Sequence, residues 1–256
     1  MNLIEDSFKL FLSPSGATTK NNGELNSSCK FKFNNPFALS QSLVYQTIRI
    51  IHCEIPFSFY IINEYNNKLV LSTGTYLIPF GNYQASTLQT TLLSILPAGL
   101  SFTFSDATGK YSIQYTSSFS ILSGSNCGLI LGFTNGTQYN SVLNKIDLPY
   151  QANMLGTKNL YIQVPNIILT NTNFTLGGNN TTLANIPVSV PPYSLIFYTN
   201  NTNTFSIIKT IQELNEIDIN ILDDDGNLVD FNNQDWNITI EINNFLNPNI
   251  LFNINK

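Results

Sequence analysis

Ile217, Ile219 and Ile221 alternate with Asp218 and Asn220, and Trp236, Ile238, Ile240 and Ile242 alternate with Asn237, Thr239 and Glu241. Successive side chains of a strand point to opposite faces, so this period of two predicts two strands with one core face and one wet face. Asp224-Asp225-Gly226 supplies the turn between them. The same reading predicts strands over 8–13, 30–33, 44–55, 57–63, 68–73, 76–80, 100–105, 110–115, 160–164, 166–169, 186–190, 193–199 and 204–210. Pro56 closes the long β-branched run over 44–55, because proline cannot donate to a ladder. Asn34-Asn35-Pro36 and Asn66-Asn67 read as turns, and Gly109 supplies the left-handed position of a hairpin after Asp106-Ala107-Thr108.

Two short helices interrupt the strands. Ser86 or Thr87 can cap the first, with Leu88, Leu92 and Ile95 on one face and Pro97 as its end. The second runs over 125–131 and stops at Gly132. The stretch over 14–28, rich in Gly, Ser, Asn and Thr, reads as an arm before the folded body. Many short strands bounded by turn residues make an all-β sandwich or barrel.

The chain has 256 residues, 43% apolar and only 11% charged. That length suits one large all-β domain or two small ones, with enough apolar residues for a core without staples. Thirty-seven asparagines, with many serines and threonines, wet the surface instead of charge. The net charge is −5, and the basic residues, ten Lys and Arg49, are scattered singly. Gripping phosphates requires clustered Lys and Arg, so no specific nucleic-acid binding is expected. Acids crowd late in the chain, at Glu213, Glu216, Asp218, Asp223, Asp224, Asp225, Asp230, Asp235 and Glu241, and would repel a polyanion.

Cys29, Cys53 and Cys127 are three and sparse, which reads as buried thiols rather than a disulfide framework or zinc site. Early acids Glu5 and Asp6 with no apolar run argue against a secretory signal, and no run reaches the roughly 18–20 residues that span a bilayer.

Candidate chemistry is thin. His52 is the sole imidazole. A Cys53–His52 dyad fails because adjacent strand residues point apart, and no GxSxG elbow positions a serine. Asp223-Asp224-Asp225-Gly226-Asn227 invites a calcium reading, but Ile221 and Asn232 stand where an EF-hand needs ligands. An exposed turn whose acids keep a sheet edge soluble fits better. Asp230 and Asp235 lie in a loop that fixes no carboxylate separation for a glycosidase. Tyr45, Tyr60, Tyr65, Tyr76, Tyr83 and Tyr115 suit a sugar-binding face or, preferably, strand cores and subunit interfaces. Gly177-Gly178 lacks the Lys-Ser/Thr of a phosphate loop. No catalytic, cofactor-binding or metal-binding residue is assigned, and no cofactor is expected.

Four motifs in order carry a resemblance. Ile55-Pro56-Phe57-Ser58-Phe59-Tyr60, with Asn63 and Asn66, follows a long apolar strand. Pro79-Phe80-Gly81-Asn82-Tyr83 precedes the amphipathic helix. Leu131-Gly132-Phe133 follows a hairpin. The run from Ile217 through Asp225-Gly226-Asn227, Asp230-Phe231 and Asp235-Trp236-Asn237-Ile238-Thr239-Ile240 closes the fold. Over about 36–245 the chain resembles the jelly-roll minor capsid (penton) proteins of virophages, polintons and polinton-like viruses.

The resemblance implies a jelly-roll β-sandwich with a few short helical insertions, divided into 1–28 as N-terminal strand and flexible arm and 29–256 as a single jelly-roll capsid domain. It also implies a non-enzymatic virion protein, made in the host cell, that forms homopentamers at icosahedral vertices and contacts a double-jelly-roll major capsid protein. The competing readings are a cement or spike protein on the same fold, a carbohydrate- or receptor-binding β-sandwich, and a β-sandwich hydrolase using His52, Asp230 or Asp235.

Overall fold

The computed structural model describes residues 3–20, 25–37, 43–169, 180–201, 204–208 and 214–246. The chain divides into two compact units, one of Met1–Phe59 with Thr157–Lys256 and one of Tyr60–Gly156.

The first unit is built from β1 (Leu3–Leu12), β2 (Thr19–Lys20), β3 (Ser28–Phe37) and β4 (Leu43–Pro56). The elements of the second unit come next in the chain. These are β5 (Lys68–Leu71), β6 (Gly74–Leu77), α1 (Ala85–Ile95), β7 (Ser101–Ser105), β8 (Lys110–Gln114), β9 (Ser120–Ile121), α2 (Gly128–Leu131), β10 (Tyr139–Asn140) and β11 (Lys145–Asp147). The first unit then resumes with β12 (Asn159–Gln163), β13 (Thr182–Pro187), β14 (Leu195–Thr199), β15 (Ser206–Ile208), β16 (Leu214–Leu222) and β17 (Asn237–Leu246).

Two antiparallel sheets make up the first unit. One runs β1-β17-β4-β14, with β15 also on β4, and the other runs β13-β12-β16-β3-β2. Treating β14 and β15 as two pieces of one strand, and leaving β2 aside, gives eight roll strands lettered B to I along the chain. The first sheet is then B-I-D-G and the second F-E-H-C, the two-Greek-key order of a jelly roll. The architecture is all-β with few helices, as the sequence leads one to expect.

The period of two decides what faces the core. Ile238, Ile240 and Ile242 of β17 and Ile217, Ile219 and Ile221 of β16 are all buried in one cluster. Ile48, Ile50, Cys53 and Ile55 of β4 join them from the first sheet, and Phe31, Leu160, Ile162 and Ile186 from the second. Each fully buried aliphatic side chain contributes about 1.5–3 kcal/mol. The inward parity of β4 changes between Ile50 and Cys53, because Thr239 pairs with His52 and Ile240 with Ile50, leaving Ile51 as the extra residue of a bulge. That bulge puts Arg49, His52 and Glu54 together on the outer face.

The second unit has its own core, with Leu88 and Leu92 of α1, Phe102, Tyr111, Ile113, Ile121 and Leu131 buried. Its sheets are β10-β9-β5-β6 and β11-β8-β7. Gln84, not Ser86 or Thr87, is the cap of α1. Thr87 serves from inside the first turn, its hydroxyl accepting the Gln84 N–H at 3.0 Å. Gly132 ends α2 in the left-handed conformation, φ 96°.

Several expected elements differ. In place of one continuous domain over 29–256, residues Tyr60–Gly156 form a separate unit inserted between β4 and β12. The described part of 14–28 is no detached arm. Pro14–Gly16 is a short 3-10 helix with Pro14 buried, β2 pairs with β3, and Asn26 and Ser27 are buried. Strand β3 runs on through the expected turn at Asn34-Asn35-Pro36. The 57–63 strand is absent, and Phe57 and Phe59 stack in the core instead, ring centroids 4.4 Å apart. Asn66 turns the chain with Asn63 rather than Asn67: Asn63 N–H donates to Asn66 Oδ1, and Asn66 Nδ2 to the Ile61 carbonyl, both at 2.9 Å. At 166–169 a side chain replaces the expected strand. Asn166 donates from Nδ2 to the Glu216 carbonyl (2.9 Å) and accepts the Asp218 N–H at Oδ1 (3.0 Å), continuing the ladder of β16 through an amide.

Candidate functional surface

The outer face of the B-I-D-G sheet gathers the polar groups that drew notice in the sequence. Register places Phe11 beside Thr239, Thr239 beside His52, and His52 beside Thr199. The next row holds Asn237, Glu54 and Phe197. On the other side lies the row of Lys9, Glu241 and Arg49, where Arg49 Nη2 is 2.6 Å from Glu241 Oε2.

His52 Nε2 lies 3.3 Å from Glu54 Oε1, and Nδ1 lies 3.4 Å from Thr199 Oγ1. A hydroxyl, an imidazole and a carboxylate thus stand in line, a juxtaposition that sequence spacing could not show because Thr199 comes from another strand. Both contacts exceed the 2.6–3.2 Å reach of an activated nucleophile and its base. The line also lies half exposed on an open pleated face. Cys53 points into the core, where burial pushes its thiol up to about 12, so it forms no dyad with His52. Burial likewise pushes Cys29 up to about 11 and Cys127 to about 12. These thiols are inert packing.

The acids are spent on structure. Asp223 Oδ1 accepts the N–H groups of Asp225 and Asn227 at 2.9 and 2.8 Å. Asp224 Oδ2 accepts the Lys158 N–H at 2.6 Å, and its Oδ1 accepts Asn159 Nδ2 at 3.0 Å. Asp230 caps the Asn232 N–H at 2.8 Å, and Asp235 accepts Asn26 Nδ2 at 3.0 Å. Among the described residues, no three His, Cys, Asp or Glu side chains gather as a metal site requires.

The tyrosines divide between the two units. Tyr45 stacks on Phe245 in the first unit, centroids 4.5 Å apart, whereas Tyr60, Tyr65, Tyr76, Tyr83 and Tyr115 belong to the second. Tyr83 donates to the Pro79 carbonyl at 3.0 Å, and Tyr115 meets Phe119 edge-on. Gly177-Gly178 lies outside the described residues. A cleft of about 70 Å³, lined by Arg49, Tyr198, Asn200, Phe205 and Ser206, opens where the chain leaves β4 between β14 and β15. It has room for a few waters.

Sequence reasoning missed the exposed apolar residues at the edges of this sheet. Phe11 on β1 is 79% exposed and Phe197 on β14 is 65% exposed, with Tyr193 and Phe205 also exposed near β14 and β15. Their alternation with Leu10, Leu12, Ile196 and Tyr198 was legible, but an outward aromatic looks like an inward one until the register is known.

Two solved structures are similar to this chain. The mavirus penton protein, seen in a crystal structure of its selenomethionine form, is 10% identical, with 94% of this chain and 100% of that one covered and a TM-score of 0.48. The 3.5 Å cryo-EM structure of the Sputnik virophage contains a chain 10% identical, with coverage of 96% and 99% and a TM-score of 0.44. No family model matches the chain, and no curated protein matches it in sequence. Among the described residues, no helix is long and apolar enough to cross a membrane.

Proposed function

We propose that this chain is a structural minor capsid protein of the penton type, which forms homopentamers at icosahedral vertices and meets a double-jelly-roll major capsid protein at its flanks. The observation that carries the reading is the B-I-D-G and F-E-H-C strand order around a continuous apolar core, with Asp223, Asp224, Asp230 and Asp235 engaged in local hydrogen bonds. Jelly rolls serve viral capsids, lectins and cupins alike, and function must be argued from the site. A cupin-type metal centre draws on several histidines, and this chain has one. Of the nominated tyrosines, Tyr45 is stacked on Phe245 and Tyr76, Tyr83 and Tyr115 pack against the core of their own unit. What the roll does offer is exposed aromatic residues at sheet edges and a surface poor in charge, the composition of covered interfaces. The four ordered motifs resembling penton proteins support the same reading, which carries with it a place in the virion and a structural rather than catalytic role.

The test is coexpression with a double-jelly-roll major capsid protein of the same virus, followed by electron microscopy of the particles. Density for this chain at five-fold vertices is the expected result. Particles that close their vertices without it, while it stays free, would overturn the assignment.

A further inference from the structure

We infer that neighbouring copies of this chain touch head to tail through the two opposite edges of the B-I-D-G sheet, Phe11 and Lys9 on β1 of one copy meeting Phe197 on β14 and Glu54 on the adjoining β4 of the next. This rests on the reading above that copies form a ring. Both edges carry an aromatic side chain turned outward on the same face, Phe11 79% and Phe197 65% exposed. The charges beside them are opposite. Lys9 stands two residues from Phe11, exposed at the end of a row whose carboxylate, Glu241, is already held by Arg49. Glu54, one strand in from the β14 edge, is the cross-strand neighbour of Phe197, and its local contacts are His52 at 3.3 Å and the Asn237 amide at 3.5 Å, neither a Lys nor an Arg. The cationic-aromatic edge therefore complements the acidic-aromatic one and would repel or leave unmatched a copy of itself, which selects a heterologous contact over an isologous one.

Strand register gives the heights of the two patches. Along β17, Thr239 marks the level of Phe11 and Asn237 that of Phe197, two residues apart. The two edges thus differ by about 7 Å along the strands while lying three strand spacings, about 15 Å, apart across the sheet.

The experiment is disulfide trapping in the full chain. The native thiols are buried and do not compete. Phe11→Cys mixed with Phe197→Cys should yield a covalent dimer under mild oxidation, and neither variant alone should. The double variant should give a denaturing-gel ladder that stops at the copy number of the ring. As a second arm, Lys9→Glu or Glu54→Lys should each cause loss of the assembly, and combining them should restore it. Assemblies that form yet give no 11-to-197 link, or that link Phe11→Cys to itself, overturn this contact and leave the ring standing. A wild-type chain that stays single at every concentration overturns the ring and this contact together.

Discussion

The indole N–H of Trp236 donates to the main-chain carbonyl of Asn26 at 2.6 Å, joining residues 210 positions apart at the mouth of the core. The Asn26 side chain completes the tie. Its Nδ2 donates to the Gln234 carbonyl and to Asp235 Oδ1, both at 3.0 Å, and its Oδ1 accepts Lys20 Nζ at 2.6 Å. The N-terminal segment is thereby fastened to the entry of β17, the last strand of the roll.

Replacing Asn26 strips partners from groups already withdrawn from water, and each such group costs about 1–3 kcal/mol. Asn26→Ala should therefore lower the unfolding free energy by about 1–3 kcal/mol. Trp236 is the sole tryptophan, so its emission during urea denaturation reads the transition directly. An unchanged midpoint would contradict the tie.

This anchor also shows where sequence reading stops. The alternation in β16 and β17 was legible because every apolar position obeys one period. Asn26 was not, since a polar residue among glycines and serines reads as loop even when its amide is buried and satisfied. The inward parity of β4 was hidden by Ile51, an apolar residue that the bulge leaves out of the core series. The boundaries of the inserted unit were hidden because Ile55-Pro56-Phe57-Ser58-Phe59-Tyr60 runs from one core into the next unit with no polar linker. The opposed aspects of His52 and Cys53 followed from strand geometry alone, but the partners Glu54 and Thr199 depended on register across strands.

Gly132 is held at φ 96°, and a Cβ built there would come 2.3 Å from the Tyr150 carbonyl oxygen. A left-handed conformation alone costs a non-glycine residue about 1–2 kcal/mol, and the clash adds to it. Gly132→Ala should destabilise the Tyr60–Gly156 unit by more than about 2 kcal/mol. Hydrogen exchange should show faster opening of β7, β8 and α1 while β16 and β17 keep their protection.

Leu143 presents the opposite case. It occupies φ 50°, followed by Asn144 at 63°, in a two-residue turn closed by Val142 N–H to Lys145 O (2.9 Å) and Lys145 N–H to Val142 O (3.0 Å). Its side chain is 94% exposed and compensates for none of this strain. Asparagine tolerates the conformation, so Leu143→Asn should stabilise the hairpin by about 1 kcal/mol, measured as a raised melting temperature.

Burial raises Asp218 above its ordinary 3.8, although Lys30 Nζ stands 3.6 Å from its Oδ1. The folded chain then holds this proton more tightly than the unfolded chain. The contribution of Asp218 to stability is therefore greatest in acid and falls as pH rises from 3.8 through the folded value. In Asp218→Asn that fall is removed, so the variant should gain on wild type as pH rises, in paired urea titrations from acid to neutral pH. A difference constant across pH would contradict the assignment.

If copies of this roll close into the proposed ring, native mass spectrometry of the purified full chain should show a dominant species of five chains, and a single-chain mass that persists at the highest attainable concentration means that no such ring forms.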